Sequence, residues 1–598
     1  MLTRLQTNTA EEREDRILLF LSLAIGALTG LAVVAFIVLT ERLGMRMYPV
    51  GSAAWRRVLI PVGGSLGIGY LLYRYFPDAR GSGVPQTKAA LFARGGVITL
   101  STVLGKFFCT SITLASGIPL GREGPAVQVG GGIASVLGRR LGLSEDKLKE
   151  LIPAGAAAAI AAAFNTPLAA VLFALEEVVG DLHAPVLGPV VLASASSWVV
   201  LRVILGNNPL FSVPQYRLVH PMEFAMYAVL GIAGGLVSVA FTKLLLRIRK
   251  AFLGFPRKTL WFQPVAGGLL VGLMGWWAPQ VLGVGYGYVG QALNSSMPLK
   301  LMALLVVLKL LGTTVSYGSG NAGGIFGPSL YIGAMLGGTV GSLAHHWLPG
   351  YTAAPGAYAL VGMGAVFAGI VRAPMTSVMM ILETTRDYTV IVPLMIANLI
   401  SFFISSQLQR EPIYIALAGQ DGIHLPTPET RVRRRQYLVG RAMTSAPEVL
   451  PAHVTVSSAL QRVQFSALHT WPVTEGRDVV GVVTRVMLQR AHAEGDTDKA
   501  LADILDTRPF PHTHADQGLD QALARMGASD VDVLPVVGRG DVNHLQGVIT
   551  LPDILEAFGI REAPPDAGAE SAIAATAPDE TAEVHSAVEG DVLPAIHR

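Results

Sequence analysis

From Ile17 to Thr40 the chain runs ILLFLSLAIGALTGLAVVAFIVLT, about two dozen residues without a charge. A helix of that length crosses roughly 30 Å of hydrocarbon. The run is too long for a secretory leader, and further apolar stretches follow it. They lie near Val58–Tyr73, Val97–Ile118, Val186–Leu205, Ala225–Leu246, Pro264–Leu282, Leu299–Val315, Leu360–Ile370 and Val390–Ser405. Several are too short, or too broken by Gly and Pro, to cross as simple helices. Broken helices are tolerated at membrane depth only where protein buries them or a wet cavity satisfies their freed backbone groups. The interruptions therefore point to a permeation site.

Composition agrees with a membrane body: 15% of residues are charged, against roughly 25% in a soluble domain, and 66 are glycine. A net charge of +3 argues against a nucleic-acid partner. Cys109 is the sole cysteine, so neither an intramolecular disulfide nor a thiolate metal cage is expected, and no metal site is read. Near Gln420 the character changes. The boundary falls at about residue 425, giving a membrane region over 1–424 and a soluble region over 425–560. Arg431, Arg433, Arg434 and Arg435 follow the last apolar stretch, and an arginine excess beside a membrane exit places the soluble region in the cytoplasm. The segment 561–598, rich in Ala, Pro, Glu and Asp, reads as a disordered acidic tail.

The membrane region repeats itself. In Gly155-AAAAIAAAFNT-Pro167-LAAVLFAL-Glu176 and Gly362-MGAVFAGIVRA-Pro374-MTSVMMIL-Glu383, proline follows glycine by twelve residues (167 − 155, 374 − 362) and precedes glutamate by nine. Upstream stand Gly121-REGP and Gly324-IFGP, with Pro125 to Pro167 spanning 42 residues and Pro328 to Pro374 spanning 46. Matching interruptions in two halves are a pointer to a transporter's binding site.

A helix start offers unpaired N–H groups and the positive end of a dipole, which suits an anion. In Gly81-Ser82-Gly83-Val84-Pro85 a hydroxyl and two glycines stand at such a start; in Gly324-Ile325-Phe326-Gly327-Pro328 the donors are the amides of Ile325 and Phe326. Gly121-Arg122-Glu123-Gly124-Pro125 puts a carboxylate where an anion would sit, a competitor for the site. An intramembrane carboxylate is costly and marks function by default. Taken singly, Ser82 reads as a turn residue and Tyr414 as an interfacial anchor. Lys106, inside an apolar stretch, reads as a buried structural or field-setting cation.

Over about residues 15–420 these stretches resemble the CLC family of chloride channels and chloride/proton exchangers, whose three signature loops read much like GSGVP, GREGP and GGIFGP. The resemblance extends to FNTPLAAVLFALEE and to Tyr414 in REPIYIAL. It implies an α-helical polytopic membrane protein with an inverted internal repeat and broken helices. It also implies a chloride shell of Ser82 and Tyr414 hydroxyls with the amides of Ile325 and Phe326, and with Gly83, Arg122 and Gly124 beside it. Glu123 is then the gating glutamate. Glu177 falls where exchangers of the family carry an internal proton acceptor and channels commonly an apolar residue, which favours a chloride/proton antiporter over the alternative, a passive chloride channel. Glu176, aligned with Glu383, looks like a packing or helix-end residue. Nitrate-preferring relatives have proline at the Ser82 position, so chloride is the expected substrate, and no cofactor is required. A homodimer with one pathway per subunit, in the cell's inner membrane, is implied as well.

Two readings from other classes compete with this one. Val284-Gly285-Tyr286-Gly287 reproduces most of the potassium filter TVGYG, but without the threonine, in a single copy and outside the repeated elements. An enzyme is not expected, because no GxxxxGK[ST] phosphate loop or HExxH metal helix is present. His345 and His346 lack ligand partners at useful spacing and fall at a helix end.

The soluble region contains a pair of similar units, about 439–496 and 501–560, and each runs β-rich segment, polar turn, Gly-Val-(Val/Ile)-Thr, then helix. They resemble a tandem pair of CBS domains, an α/β module that commonly binds adenine nucleotides. Thr550 and Asp553 fit the nucleotide motif, whereas Thr484 is followed by Met487 in the first unit. A single site for ATP, ADP or AMP and a purely structural role are equal alternatives.

Overall fold

The computed structural model describes residues 2–49, 51–182, 186–206, 210–211, 213–214, 216, 218–385, 388–423, 425, 437–445, 448–505 and 510–557. The arginine cluster 431–435 and the segment 561–598 lie outside these residues. The chain divides into two compact units, Met1–Thr427 and Pro428–Arg598.

The first unit is built from helices. Its first half contains α1 (Leu2–Met47), α2 (Arg56–Arg74), α3 (Val84–Ala93), α4 (Leu100–Ala115), α5 (Glu123–Arg140), α6 (Glu145–Phe164), α7 (Pro167–Phe173) and α8 (Leu187–Leu205). The second half follows the same order with α9 (Glu223–Leu253), α10 (Pro264–Trp277), α11 (Tyr286–Leu293), α12 (Leu299–Gly318), α13 (Phe326–Trp347), α14 (Pro355–Val371), α15 (Pro374–Thr385) and α16 (Ile391–Leu408); α17 (Ile413–Gln420) closes the unit. Five described segments are long and apolar enough to cross a membrane: Leu18–Met47, Leu187–Leu205, Glu223–Leu253, Leu299–Gly318 and Tyr388–Gln420. Large apolar side chains such as Phe20, Val203, Leu399 and Phe403 are exposed on this unit, as a lipid-facing surface requires.

The halves match down to single contacts. Lys106 donates to the carbonyls of Ala79 and Gly81 at 2.7 and 2.8 Å, and Lys309 to those of Val281, Gly283 and Val284 at 3.1, 2.6 and 3.2 Å. Each ammonium thus holds the loop that precedes the short helix α3 or α11. Gly130 of α5 meets Gly155 of α6 so closely that an added Cβ would lie 2.2 Å from the Gly155 carbonyl oxygen; Gly333 and Gly362 repeat this at 2.4 Å. Small residues at these two crossings let the helix backbones approach.

The repeat also corrects one expectation. The segment Gly283-Val284-Gly285 is not outside the repeated elements: it is the counterpart of Gly81-Ser82-Gly83, with Gly81, Gly83, Gly283 and Gly285 all at positive φ. Its carbonyls accept from Lys309, so they are occupied by an ammonium and do not form a potassium filter.

Pro167 and Pro374 open α7 and α15 at the position where a missing N–H costs nothing. The amides that follow them are satisfied by the other half. Glu383 accepts from the N–H groups of Leu168 and Ala169 at 3.0 and 2.7 Å. Glu176 accepts from those of Met375 and Thr376 at 3.2 and 2.8 Å and from the Thr376 hydroxyl at 2.7 Å. Both glutamates are therefore reciprocal helix caps, each neutralising part of the other repeat's helix dipole.

The second unit holds a five-stranded sheet of order β1-β2-β3-β5-β4, with β1 (Leu450–Pro451), β2 (Thr470–Glu475), β3 (Asp478–Thr484), β4 (Val533–Gly538) and β5 (Asp541–Thr550). β2/β3 and β4/β5 are antiparallel hairpins, each followed by a helix, Arg485–Ala493 or Leu551–Ala557. Each hairpin has its own apolar core, around Trp471, Val473 and Leu488 in one and Leu534, Val536 and Ile554 in the other.

Candidate functional site

Three helix starts meet in the first unit. Gly121 and Gly324 exchange backbone hydrogen bonds, each N–H to the other's carbonyl at 2.7 Å, as an isolated antiparallel bridge. This joins the starts of α5 and α13. The loop before α3 lies against them: a Cβ on Gly83 would come 2.3 Å from the Gly124 carbonyl oxygen, and one on Gly124 2.6 Å from that of Ser82. Any side chain at these glycines would force the loops apart.

Ser82 is held by its backbone, whose N–H donates to the Tyr317 hydroxyl at 3.2 Å, while the Gly83 N–H donates to Gln86 at 2.8 Å. The Ser82 side chain is left over. Its hydroxyl faces that of Tyr414 on α17. Both residues are 0% exposed, and neither hydroxyl has a well-formed hydrogen bond within the described residues. Burying an unsatisfied hydroxyl costs roughly 1–3 kcal/mol, so two together mark a place where a further acceptor belongs. Ile325 and Phe326, at the start of α13, are also fully buried, and the Phe326 ring packs on Phe164, Phe173 and Phe367 with centroids 4.9, 5.7 and 4.3 Å away.

Glu123 opens α5 and is fully buried. One carboxylate oxygen accepts from the Gly327 N–H at 3.1 Å, in the first turn of α13, and the other from the Tyr286 hydroxyl. The carboxylate thus sits at a helix start, where an anion would. The Arg122 guanidinium lies 3.8 Å from Glu41 and 5.5 Å over the Tyr286 ring.

Glu177 lies in the π-helical turn Ala174–Val179 that continues α7. It is buried and receives the Lys88 ammonium at 2.6 Å. Glu123, Glu177 and the Ser82–Tyr414 pair are all brought to one region, since both carboxylates act electrostatically on Tyr414.

The family model "Voltage gated chloride channel" matches residues 64–406. The chain belongs to the CLC family. A CBS-domain model matches residues 501–560. Among curated relatives, the H(+)/Cl(−) exchange transporter ClcA of Vibrio campbellii is 32% identical over 413 residues, covering 67% of this chain and 88% of that protein. A putative chloride channel protein, ClcB-like, of Ralstonia nicotianae is 33% identical over 379 residues, covering 62% and 88%. A slow cyanobacterial Cl−/H+ antiporter has a similar structure, with TM-score 0.62, 26% identity, and coverage of 68% of this chain and 97% of that one. A eukaryotic CLC transporter shares the fold at TM-score 0.60 and 19% identity, covering 90% and 97%. This CLC chain is accordingly a multi-pass membrane protein.

Sequence reasoning missed Lys88, Tyr286 and Tyr317. Lys88 was open to the rule that an intramembrane charge signals function. Tyr286 was in view only as a member of a filter-like motif. Nothing in the sequence singles out Tyr317. In the second unit, Thr550 and Asp553 cap one another: the Thr550 N–H donates to the Asp553 carboxylate at 3.0 Å, and the Asp553 N–H to the Thr550 hydroxyl at 3.2 Å. That is a capping box at the start of Leu551–Ala557. The Thr484 hydroxyl accepts from the Met487 N–H at 3.2 Å and caps its helix, where Met487 has no carboxylate to return the bond.

Proposed function

We propose that the chain exchanges chloride for protons, with Glu123 as the gating carboxylate and Glu177 as the internal proton relay. The observation that carries this reading is the second buried carboxylate. An intramembrane carboxylate marks function by default, and Glu177 lies in the same region as Glu123, where proton exchange needs a second acid and passive conduction does not. Chloride between Ser82 and Tyr414 would receive both leftover hydroxyls and the amides of Ile325 and Phe326. The glycines Gly83 and Gly124 keep the loops close enough for that shell, and Arg122 adds positive potential without being a direct ligand. Ionised Glu123 competes with chloride for the helix-start site; once protonated it leaves, chloride advances, and Glu177 passes the proton onward. The relatives named as H(+)/Cl(−) exchange transporters and the antiporter of similar structure support the same choice.

In liposomes, chloride running out must then bring protons in, so the medium turns alkaline when an outward chloride gradient is imposed. Chloride flux with no proton movement overturns exchange and leaves a passive chloride channel, the reading that the Lys88 pairing of Glu177 favours.

The same proposal includes a homodimer with one pathway per subunit, in an inner membrane with the CBS region in the cytoplasm. No cofactor is required for transport. The capping box of Thr550 and Asp553 uses the groups that a nucleotide would otherwise engage, which supports a structural role for the CBS region. Calorimetry with ATP, ADP and AMP is expected to give no heat; saturable binding of any of them, lost in Asp553→Ala, would establish the regulatory site.

A further inference from the structure

Tyr286 lies outside every element that the anion shell uses, yet its hydroxyl is bonded to Glu123. Three contacts fix where that hydroxyl points. Gly285, at φ 85°, turns the chain into α11, and Lys309 grips the carbonyls of Gly283 and Val284 just before it. The ring is held edge-on by Phe211, centroids 5.5 Å apart and planes at 90°, while the Arg122 guanidinium covers it. The ring is thus held by two neighbours and its backbone anchored by a third.

We propose that Tyr286 is a positioning residue for gating: its hydroxyl latches the ionised Glu123 carboxylate in the anion path and sets how readily protonation releases it. This deepens the reading of Glu123 as the gating carboxylate and rests on it. An O–H donor to a carboxylate is a charge-assisted bond, stronger than a neutral one. A protonated Glu123 gains less from the same hydroxyl, because the acid has fewer acceptor sites and brings a proton of its own. The latch therefore favours the blocked, ionised state. Arg122 works through the ring, by cation–π contact, and its exposed partner Glu41 leaves it free to do so. The charged and titratable groups around Glu123 are Arg122 beside it, Glu41 of α1 behind Arg122, Tyr286 of α11, Lys309 of α12 at the Gly285 turn, and Tyr414 of α17. Of these, Tyr286 is the side chain that hydrogen-bonds the carboxylate.

The test is the pH dependence of chloride and proton flux for the full chain in liposomes, in the native protein, Y286F, E123Q and E123Q/Y286F. Phenylalanine keeps the ring, and so its contacts with Phe211 and Arg122. Loss of one charge-assisted bond changes occupancy about tenfold or more. The chloride flux curve of Y286F should therefore move about one pH unit toward alkaline pH, with roughly tenfold more flux on that limb and coupling retained. In the E123Q background the same substitution should change flux by less than about twofold, since no carboxylate remains to be latched. An unmoved curve in Y286F, or an equal effect in both backgrounds, overturns the latch. Failure of the underlying reading is separate: it would show as E123Q still coupled and still pH-dependent.

Discussion

Glu123→Gln is expected to abolish proton movement while chloride still passes. The amide has the shape of the acid and can accept from Tyr286 or Gly327, but it neither binds nor releases a proton near neutral pH. Nor does it carry the charge that lets the side chain compete for the helix-start site. Proton flux driven by a chloride gradient should drop to the level of protein-free liposomes, and chloride flux should lose its pH dependence. Simultaneous recording of both ions checks this. Residual coupled proton flux would remove Glu123 from the exchange cycle.

The other large effect concerns stability. Lys88→Met removes the ammonium from Glu177 inside a site where both side chains are under one tenth exposed. Taking one partner from a buried pair costs about 3–5 kcal/mol, because the other charge stays behind without compensation. Arg372 also acts on Glu177 electrostatically, which sets the expected loss near the lower end, about 3 kcal/mol. Adding Glu177→Gln should recover most of it, since the carboxylate left without its ammonium is then gone. Thermal unfolding in detergent of the two single variants and the double variant checks this. Additive losses would mean that the pair does not act as a unit.

Much of the pathway was legible because its residues break rules that ordinary membrane helices obey. Gly121-REGP and Gly324-IFGP interrupt apolar stretches, and the structure joins them by reciprocal backbone bonds. The repeated Gly, Pro and Glu pattern marked two helix starts, and Glu176 and Glu383 proved to be helix-end residues serving each other's repeat. Less was legible for α5, α6 and α13. Their faces are rich in Gly and Ala, so they read as weakly apolar in sequence, yet they are deeply enclosed because small residues permit close crossing. The filter-like Val284-Gly285-Tyr286 misled for a related reason. Its likeness to Gly81-Ser82-Gly83 is one of backbone shape, two positive-φ glycines and a lysine gripping carbonyls, and little of that is spelled in side chains. Tyr286 itself is 163 residues from Glu123, so only the folded chain brings them together.

The reciprocal caps bear on how the protein is made. The Ala169 amide waits for Glu383, which lies 214 residues further along the chain. At about 5–20 residues per second the ribosome needs roughly ten to forty seconds to supply it. Through that interval the start of α7 stands without its cap, a loss of about 1 kcal/mol for a helix start. Each half thus carries a helix start that only the other half completes, unlike two independent domains. The first half of the membrane unit is therefore finished only when α15 of the second half has been made.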